Sequence, residues 1–331
     1  MFNNRLSLFL LIIAGLVAAP LALGFAGGLH PAFDSFAHFR AHLAVLTALL
    51  ALPPLFTARR RGGAALVLLA AAAFATTFWA FSHPGGQDAQ AAPGSRYRLV
   101  QINLRFDNRT PERVLDMITR EKPDVIAYQE GGAHWAPWLD RLAAAYPHRL
   151  HCPKGVGLLS RHPFRWENAW VQQSGADKAT PKTAGCTGDG LMAIAPFNLG
   201  GVVVRVASLH LEWPWPFAQQ RNLRQIGPEL EKLRGPRIVA GDFNATPWSH
   251  TVRQVETAAG ARAMNGAGAT WFIGTLPAAW RPYLGLPIDQ ILVSRDIAAP
   301  RLSTLEHVGS DHLPVRLDFS TLPARSQAAA F

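Results

Sequence analysis

The sequence predicts an α/β domain carried behind three membrane-spanning helices. Three observations predict it. Long apolar runs crowd into the first 83 residues, a stretch rich in Gly, Pro and small residues follows, and beyond it short apolar runs alternate with amphipathic ones and often end on a polar residue. The chain has 331 residues, 49% of them apolar, so core size is no limitation. Its net charge of +10 is shared: residues 1–83 hold five basic residues and one acid, which leaves a mildly basic remainder.

The run from Leu6 to Leu29 is uncharged and 24 residues long, enough to cross a hydrocarbon core of about 30 Å. A signal peptide would have a shorter apolar region, and two further runs follow. The predicted spans are 6–29, 41–56 and 64–81, so residues 1–83 form a membrane anchor. The second span ends near Pro53-Pro54 and is the weakest, close to the lower length limit for spanning. Arg59-Arg60-Arg61 joins spans two and three, and basic loops stay on the cytoplasmic side. The N-terminus is therefore expected inside and everything after Ser82 outside. Residues 84–95 read as a linker, 96–320 as one domain, and 321–331 as a tail.

Within the domain, Arg98 to Leu104 reads as a strand, followed by a helix in which Thr110 can cap and Pro111 suits the first turn. Pro123 ends that helix. Asp124 to Glu130 is the next strand, and a second helix is expected from about Trp135 to Tyr146. Short strands follow at His148–Cys152 and Val156–Ser160. The runs Leu191–Phe197 and Val202–Leu211, separated by Asn198-Leu199-Gly200-Gly201, read as an antiparallel hairpin. A helix from about Phe217 to Leu233 leads into Arg237-Ile238-Val239-Ala240-Gly241-Asp242-Phe243-Asn244, where an extended chain would point Asp242 and Asn244 to one face. A weaker helix spans about 251–259, and Asp289–Val293 and Pro314–Phe319 close the list of strands.

The two cysteines, Cys152 and Cys186, are too few for a disulfide scaffold and lack zinc-site spacing. A single bridge and two buried thiols both remain open.

Polar residues gather at or just after strand ends: Asn103, Glu130, His210, Asp242, Asn244, Asp289, Asp311 and His312. Such positions can converge on one rim of a sheet. Each alone is weak evidence, since a lone strand-end Asp or Asn usually serves a turn or cap. As an ordered set they are informative. Gln101-Ile102-Asn103-Leu104, Gln129-Glu130, Leu158-Leu159-Ser160-Arg161, Leu209-His210-Leu211, Gly241-Asp242-Phe243-Asn244, Ile288-Asp289 and Ser310-Asp311-His312 together resemble the endonuclease/exonuclease/phosphatase superfamily, here as a membrane-anchored bacterial branch.

The resemblance implies a four-layer α/β sandwich, two central sheets flanked by helices, with the site at one end. It also implies phosphoester hydrolysis by activated water. Glu130 would be the principal ligand of Mg²⁺ or Mn²⁺, with Asn103 beside it and Asp311 as a further metal-shell carboxylate. Asp242 would orient or deprotonate the attacking water, and Asn244 would donate to a phosphate oxygen. Asp289 would fix His312 as the active-site imidazolium, and His210 would protonate the leaving group or hold a phosphate oxygen. No protein nucleophile is needed, because a cation and fixed donors can stabilise the phosphoryl charge.

No phosphoinositide-phosphatase signature and no basic, aromatic-interleaved strip for reading a DNA groove is visible. The expected substrate is a phospholipid headgroup or a nucleic acid. The alternatives are an extracytoplasmic nuclease acting on DNA or RNA and, in a different class, a catalytically inert binding domain on a membrane scaffold. Leu211-Glu212-Trp213-Pro214-Trp215-Pro216-Phe217 reads either as a packed loop or as a lipid-facing lip at the mouth. The expected location is the bacterial inner membrane, multi-pass, with the domain periplasmic and no obligate protein partner.

Overall fold

The computed structural model describes residues 4–82, 96–165 and 185–321. The expected linker 84–95 lies outside the described residues, as does the tail from 322 onward. The N-terminal part is helical: α1 (Asn4–Leu23), α2 (Pro31–Ala37), α3 (Arg40–Ala51), a 3-10 turn at Pro53–Phe56, and α4 (Arg60–Ser82). Helix α1 and residues 60–78 of α4 are each long and apolar enough to cross a membrane. The chain from Pro31 to Phe56 reaches that length only as a pair of helices bent by 68°. The expectation of three spans thus becomes two, or three if the bent pair is one span. The first span also ends early. Gly24 N bonds to Pro20 O, and Phe25 and Ala26 bond three residues back, which turns the chain at Leu23 rather than at Leu29.

Small residues let the helices approach closely, with Ala44, Ala70 and Ala73 packed around Leu21. Their outer faces carry Phe9, Ile12, Leu16 and Leu68, all exposed. An apolar outside suits helices whose surroundings are hydrocarbon.

In chain order the strands are β1 (Tyr97–Asn103), β2 (Val125–Gln129), β3 (His148–His151), β4 (Gly157–Ser160), β5 (Cys186–Thr187), β6 (Met192–Leu199), β7 (Val202–His210), β8 (Arg237–Asp242), β9 (Arg262–Ala263), β10 (Asp289–Val293), β11 (Ile297–Thr304) and β12 (Val315–Thr321). One sheet runs β11-β12-β1-β2-β4-β3 and the other β5-β6-β7-β8-β10-β9. Pairs β1/β2 and β7/β8 are parallel while their other neighbours are antiparallel, so both sheets are mixed.

Strand period two sorts the side chains into layers. From β1, Leu99 packs between the sheets, while Val100 and Ile102 face α5 (Pro111–Glu121) and α6 (Ala136–Asp140). From β8, Ile238 and Ala240 face inward, and Val239 packs outward with residues of helices Gln219–Glu231 and His250–Ala259. The result is helix, sheet, sheet, helix.

Several local expectations differ. The helix expected from Trp135 to Tyr146 shortens to a 3-10 turn and α6, followed by bonds spanning three residues at Leu142, Ala143 and Ala145. Thr110 makes no capping bond through its side chain; Asn108 Oδ1 instead accepts from Thr110 N at 2.9 Å. The hairpin turn narrows to Gly200-Gly201, both with positive φ, as a two-residue turn of this hand requires.

The N-terminal helical part is docked on the domain. Asp34 Oδ1 and Oδ2 accept from His250 N at 2.6 Å and Thr251 N at 2.9 Å, so a carboxylate on α2 caps a helix of the domain. Trp248 Nε1 donates to Ala37 O at 2.6 Å, and Thr246 N donates to His38 Nδ1 at 3.2 Å.

Candidate active site

The inward-facing rows change character along the sandwich. At one end they are apolar: Leu99, Val125, Val206 and Ile238. Two or four residues further along the same strands they become Gln101 and Asn103, Gln129, Ser208 and His210, and Asp242. Cross-strand register then gathers them. Asn103 lies opposite Gln129, and Asp242 lies between His210 on β7 and Asp289 on β10. The polar end opens into a pocket of about 490 Å³, lined in part by Glu130, His210, Asp242, Asn244, Asp311 and His312.

Asp242 is 1% exposed and sits at the centre. Its Oδ1 accepts from Asn244 N at 2.8 Å and its Oδ2 from Asn103 Nδ2 at 3.0 Å. His210 Nε2 and His312 Nε2 approach Oδ2 at 3.5 and 3.6 Å. Burial pushes the Asp242 carboxyl up, against the pull of the His312 charge. His312 Nδ1 donates to Asp289 Oδ2 at 2.8 Å. Burial would lower this imidazole, but the Asp289 and Asp242 charges and the Asp289 bond outweigh it and raise it to about 10. The ring is an imidazolium at neutral pH.

Glu130 faces Asp242 across Asn103, whose Nδ2 also donates to Glu130 Oε1 at 2.9 Å. Phe106 N donates to Glu130 Oε2 at 2.9 Å, and Asn103 Oδ1 accepts from Arg105 N at 2.9 Å. Asp311 Oδ2 accepts from Trp271 Nε1 at 3.3 Å. Ser310 ties the ends of the chain together: its Oγ donates to Asn103 O at 2.8 Å and accepts from His312 N at 3.1 Å.

Arg105, Glu130 and Asn244 all line the pocket with positive φ, a conformation that costs a non-glycine residue roughly 1–2 kcal/mol. For Asn244 this overturns the expectation of continuous extension. Strand β8 stops at Asp242, and the amide Nδ2 of Asn244 donates to Leu211 O at 2.8 Å. Its Oδ1 is buried with no hydrogen-bond partner.

All eight residues expected at the site converge. Six line the pocket, while Asn103 and Asp289 stand behind Glu130 and His312. Sequence reasoning missed the row that holds Asp289. Ser208 Oγ donates to Tyr128 O, Gln129 Nε2 to Ser208 Oγ, and Gln101 Nε2 to both Gln129 Oε1 and Asp289 Oδ1. The signal was present in Gln101 and Gln129, polar residues at inward positions of otherwise apolar strands. It also missed Thr270, whose Oγ1 accepts from Asp289 N, and the pocket cations Arg105 and Lys154. Cys152 and Cys186 are joined in a disulfide, which closes the question left open by their spacing.

Residues 100–312 match the model of the endonuclease/exonuclease/phosphatase family. The chain belongs to that family. Among solved structures, the domain is similar to zebrafish (D. rerio) TDP2 complexed with a single-strand DNA product, at 17% identity over 69% of this chain and 100% of that one, TM-score 0.51. It is also similar to an endonuclease/exonuclease/phosphatase from Bacteroides vulgatus, at 17% identity over 69% and 99% of the two chains, TM-score 0.50. At such identity these likenesses establish the fold. No curated protein matches the sequence. Members of this family are in general phosphoester hydrolases, and the chain carries at its N-terminus two or three helices apolar enough to span a membrane.

Proposed function

We propose that the protein is a metal-dependent phosphoesterase with its catalytic domain outside the cytoplasmic membrane. The observation that carries this reading is the buried Asp289–His312–Asp242 row facing Glu130 across one polar pocket. The donors beside Glu130 fit a hard divalent cation. Glu130 and Asp311 offer carboxylate oxygens to the pocket, as Mg²⁺ or Mn²⁺ prefers; Asn103 turns its NH₂ toward Glu130 and keeps its Oδ1 on Arg105 N, so it would act by holding Glu130, and the orphaned Asn244 Oδ1 is a further acceptor beside the same pocket. Asp242, Asp289 and His312 also have ligand atoms within 4.8 Å of one another, but His312 Nδ1 is bonded to Asp289 and the Asp242 oxygens accept from Asn103 and Asn244, so this row is read as the proton-handling half of the site. When bound, the cation would neutralise charge on the phosphoryl oxygens.

The chain's own groups supply the rest. Asp242, held by Asn103 and Asn244 and made more basic by burial, takes a proton from the attacking water as its oxygen bonds phosphorus. His312 donates from Nε2 to a phosphoryl oxygen, and Asn244 offers its second amide hydrogen to another. The ester P–O bond breaks, and His210 protonates the departing alkoxide. Asp289 and Gln101 keep His312 protonated and oriented.

Arg59–Arg61 at the start of α4, together with the Cys152–Cys186 bridge, support an inner-membrane protein whose domain faces an oxidising compartment. The proposed division of the chain is an anchor at 1–83, a linker at 84–95, a catalytic domain at 96–320 and a tail at 321–331. An extracytoplasmic nuclease would use the same chemistry, and a steep fall of binding to DNA with salt would favour it. The test is hydrolysis of bis-p-nitrophenyl phosphate by the full chain with Mg²⁺ or Mn²⁺. Turnover should vanish with chelator and fall at least 100-fold in Glu130→Ala and His312→Ala; undiminished turnover in either variant would overturn the site.

A further inference from the structure

Three neighbouring cavities run in succession from the catalytic pocket to the outer half of the membrane helices. Trp213 and Asn244 bound the catalytic pocket on one side. Behind them lies a smaller space of about 150 Å³, shared by Trp213 and Asn244 with His38 and Leu286. His38 and Leu286 in turn belong to a groove of about 500 Å³. One wall of that groove is α3 and α4; the other is the domain segment 282–287 with Trp248. Its character differs from the catalytic pocket's: Val45, Leu46, Leu49, Phe74 and Phe78 line it beside His38 and His42, and none of its lining residues is a carboxylate.

The depth of the groove identifies its occupant. With Arg59–Arg61 inside, α4 runs outward to Ser82, so Phe74 and Phe78 lie roughly 6–12 Å below its outer end at 1.5 Å per residue. That is within the outer leaflet of a core about 30 Å thick. The walls are held in register by the bonds from Asp34, Ala37 and His38 to the domain. The aromatic rim at the head end, Trp213, Trp215 and Phe217, is exposed, as interfacial aromatic side chains are. A nucleic acid has no apolar tail for such a groove. We propose that the substrate is a membrane lipid phosphoester, its phosphate in the catalytic pocket and an acyl chain of the outer leaflet in this groove. The proposal rests on the phosphoesterase reading and names the substrate class for it.

The test uses the full chain. Alkyl p-nitrophenyl phosphate diesters short enough to stay monomeric in water, offered to the full chain held in nanodiscs, should gain about fourfold in kcat/KM for each methylene the groove removes from water. Leu46→Trp, which fills the groove, and Leu49→Ser, which makes its wall polar, should flatten that dependence and leave bis-p-nitrophenyl phosphate turnover unchanged. Equal slopes in wild type and both variants, or equal losses on both substrates, would overturn the groove. A second readout needs no turnover. In nanodiscs, a phospholipid with a diazirine on its acyl chain should label residues 282–287 in wild type and not in Leu46→Trp. Labels confined to other faces of the helices, or a co-purifying protein or second copy seated there, would overturn it too. Failure to hydrolyse even bis-p-nitrophenyl phosphate would sink the phosphoesterase reading, with the labelling still deciding what the groove holds.

Discussion

Replacing Asp289 by Asn tests whether its charge, rather than its shape, holds the proton on His312. The contact is 2.8 Å and both side chains are at most 5% exposed, so salt screens it little. Opposite charges with centres roughly 4 Å apart attract by about 4 kcal/mol at an effective dielectric near 20, which is about three powers of ten in proton affinity. His312 would then lose its proton near neutral pH instead of about 10. Hydrogen bonding acts in the same direction. Gln101 Nε2 donates to Asp289 Oδ1, so an Asn that keeps its oxygen there turns its own NH₂ toward His312 Nδ1, which must give up its hydrogen to accept. The assay is the pH dependence of kcat for bis-p-nitrophenyl phosphate. Wild type should keep its activity up to about pH 10. Asp289→Asn should lose about 30-fold at pH 8.5 and recover toward pH 6. An alkaline limb unmoved by the substitution, or a loss equal at pH 6 and pH 9, would refute the argument.

Other perturbations bear on the remaining groups. Glu130→Gln keeps the shape beside Asn103 and removes the charge; Mg²⁺ affinity should fall at least tenfold in calorimetry, with little change in thermal midpoint. Stability should also report the His312 proton. The folded value is raised to about 10 from an unfolded 6.5, so the stabilisation is complete below pH 6.5 and is lost as pH rises toward 10. In chelator, thermal unfolding in detergent should show wild type losing stability over that range more than His312→Gln does. The double substitution Cys152→Ser/Cys186→Ser opens a loop of sequence separation 34 and should cost about 3–4 kcal/mol by chain entropy. Because Gly131 N donates to Gly155 O at 2.7 Å, it should also weaken metal binding at the neighbouring Glu130; unchanged affinity would mean the bridge is remote from the site.

The layers and the strand-end positions of the site were legible because both follow from period two: an inward row that is apolar until it meets Gln101, Gln129, Ser208 or Asp242 states where the sandwich opens. What escaped depended on neighbours that sequence does not name. Strand β11 was not foreseen, since Pro300 falls within it. It is tolerated there because β11 is an edge strand whose register shifts between Ala298 and Arg301, where no ladder donor is required of a proline. Hydropathy likewise measured the apolar length from Leu6 to Leu29 correctly but could not see that part of it is spent on a turn, which frees the chain from His30 to Arg40 to reach the domain.

That turn changes how Asp242 and Asn244 are understood. In sequence they looked like a self-contained acid and amide at the end of a strand. In the fold Asn244 is held in a left-handed turn, and two residues on, Thr246 is bonded to His38 of the anchor while Asp34 caps the next helix. The N-terminal helical part therefore supports the back of the turn that carries the water-holding half of the proposed site. Asp34→Ala would remove a buried cap at a cost of about 1–2 kcal/mol. If the buttress matters, kcat should fall with metal affinity unchanged, because Glu130 stands on the other sheet. A loss of metal affinity with kcat intact would show instead that the substitution acts by loosening the whole domain.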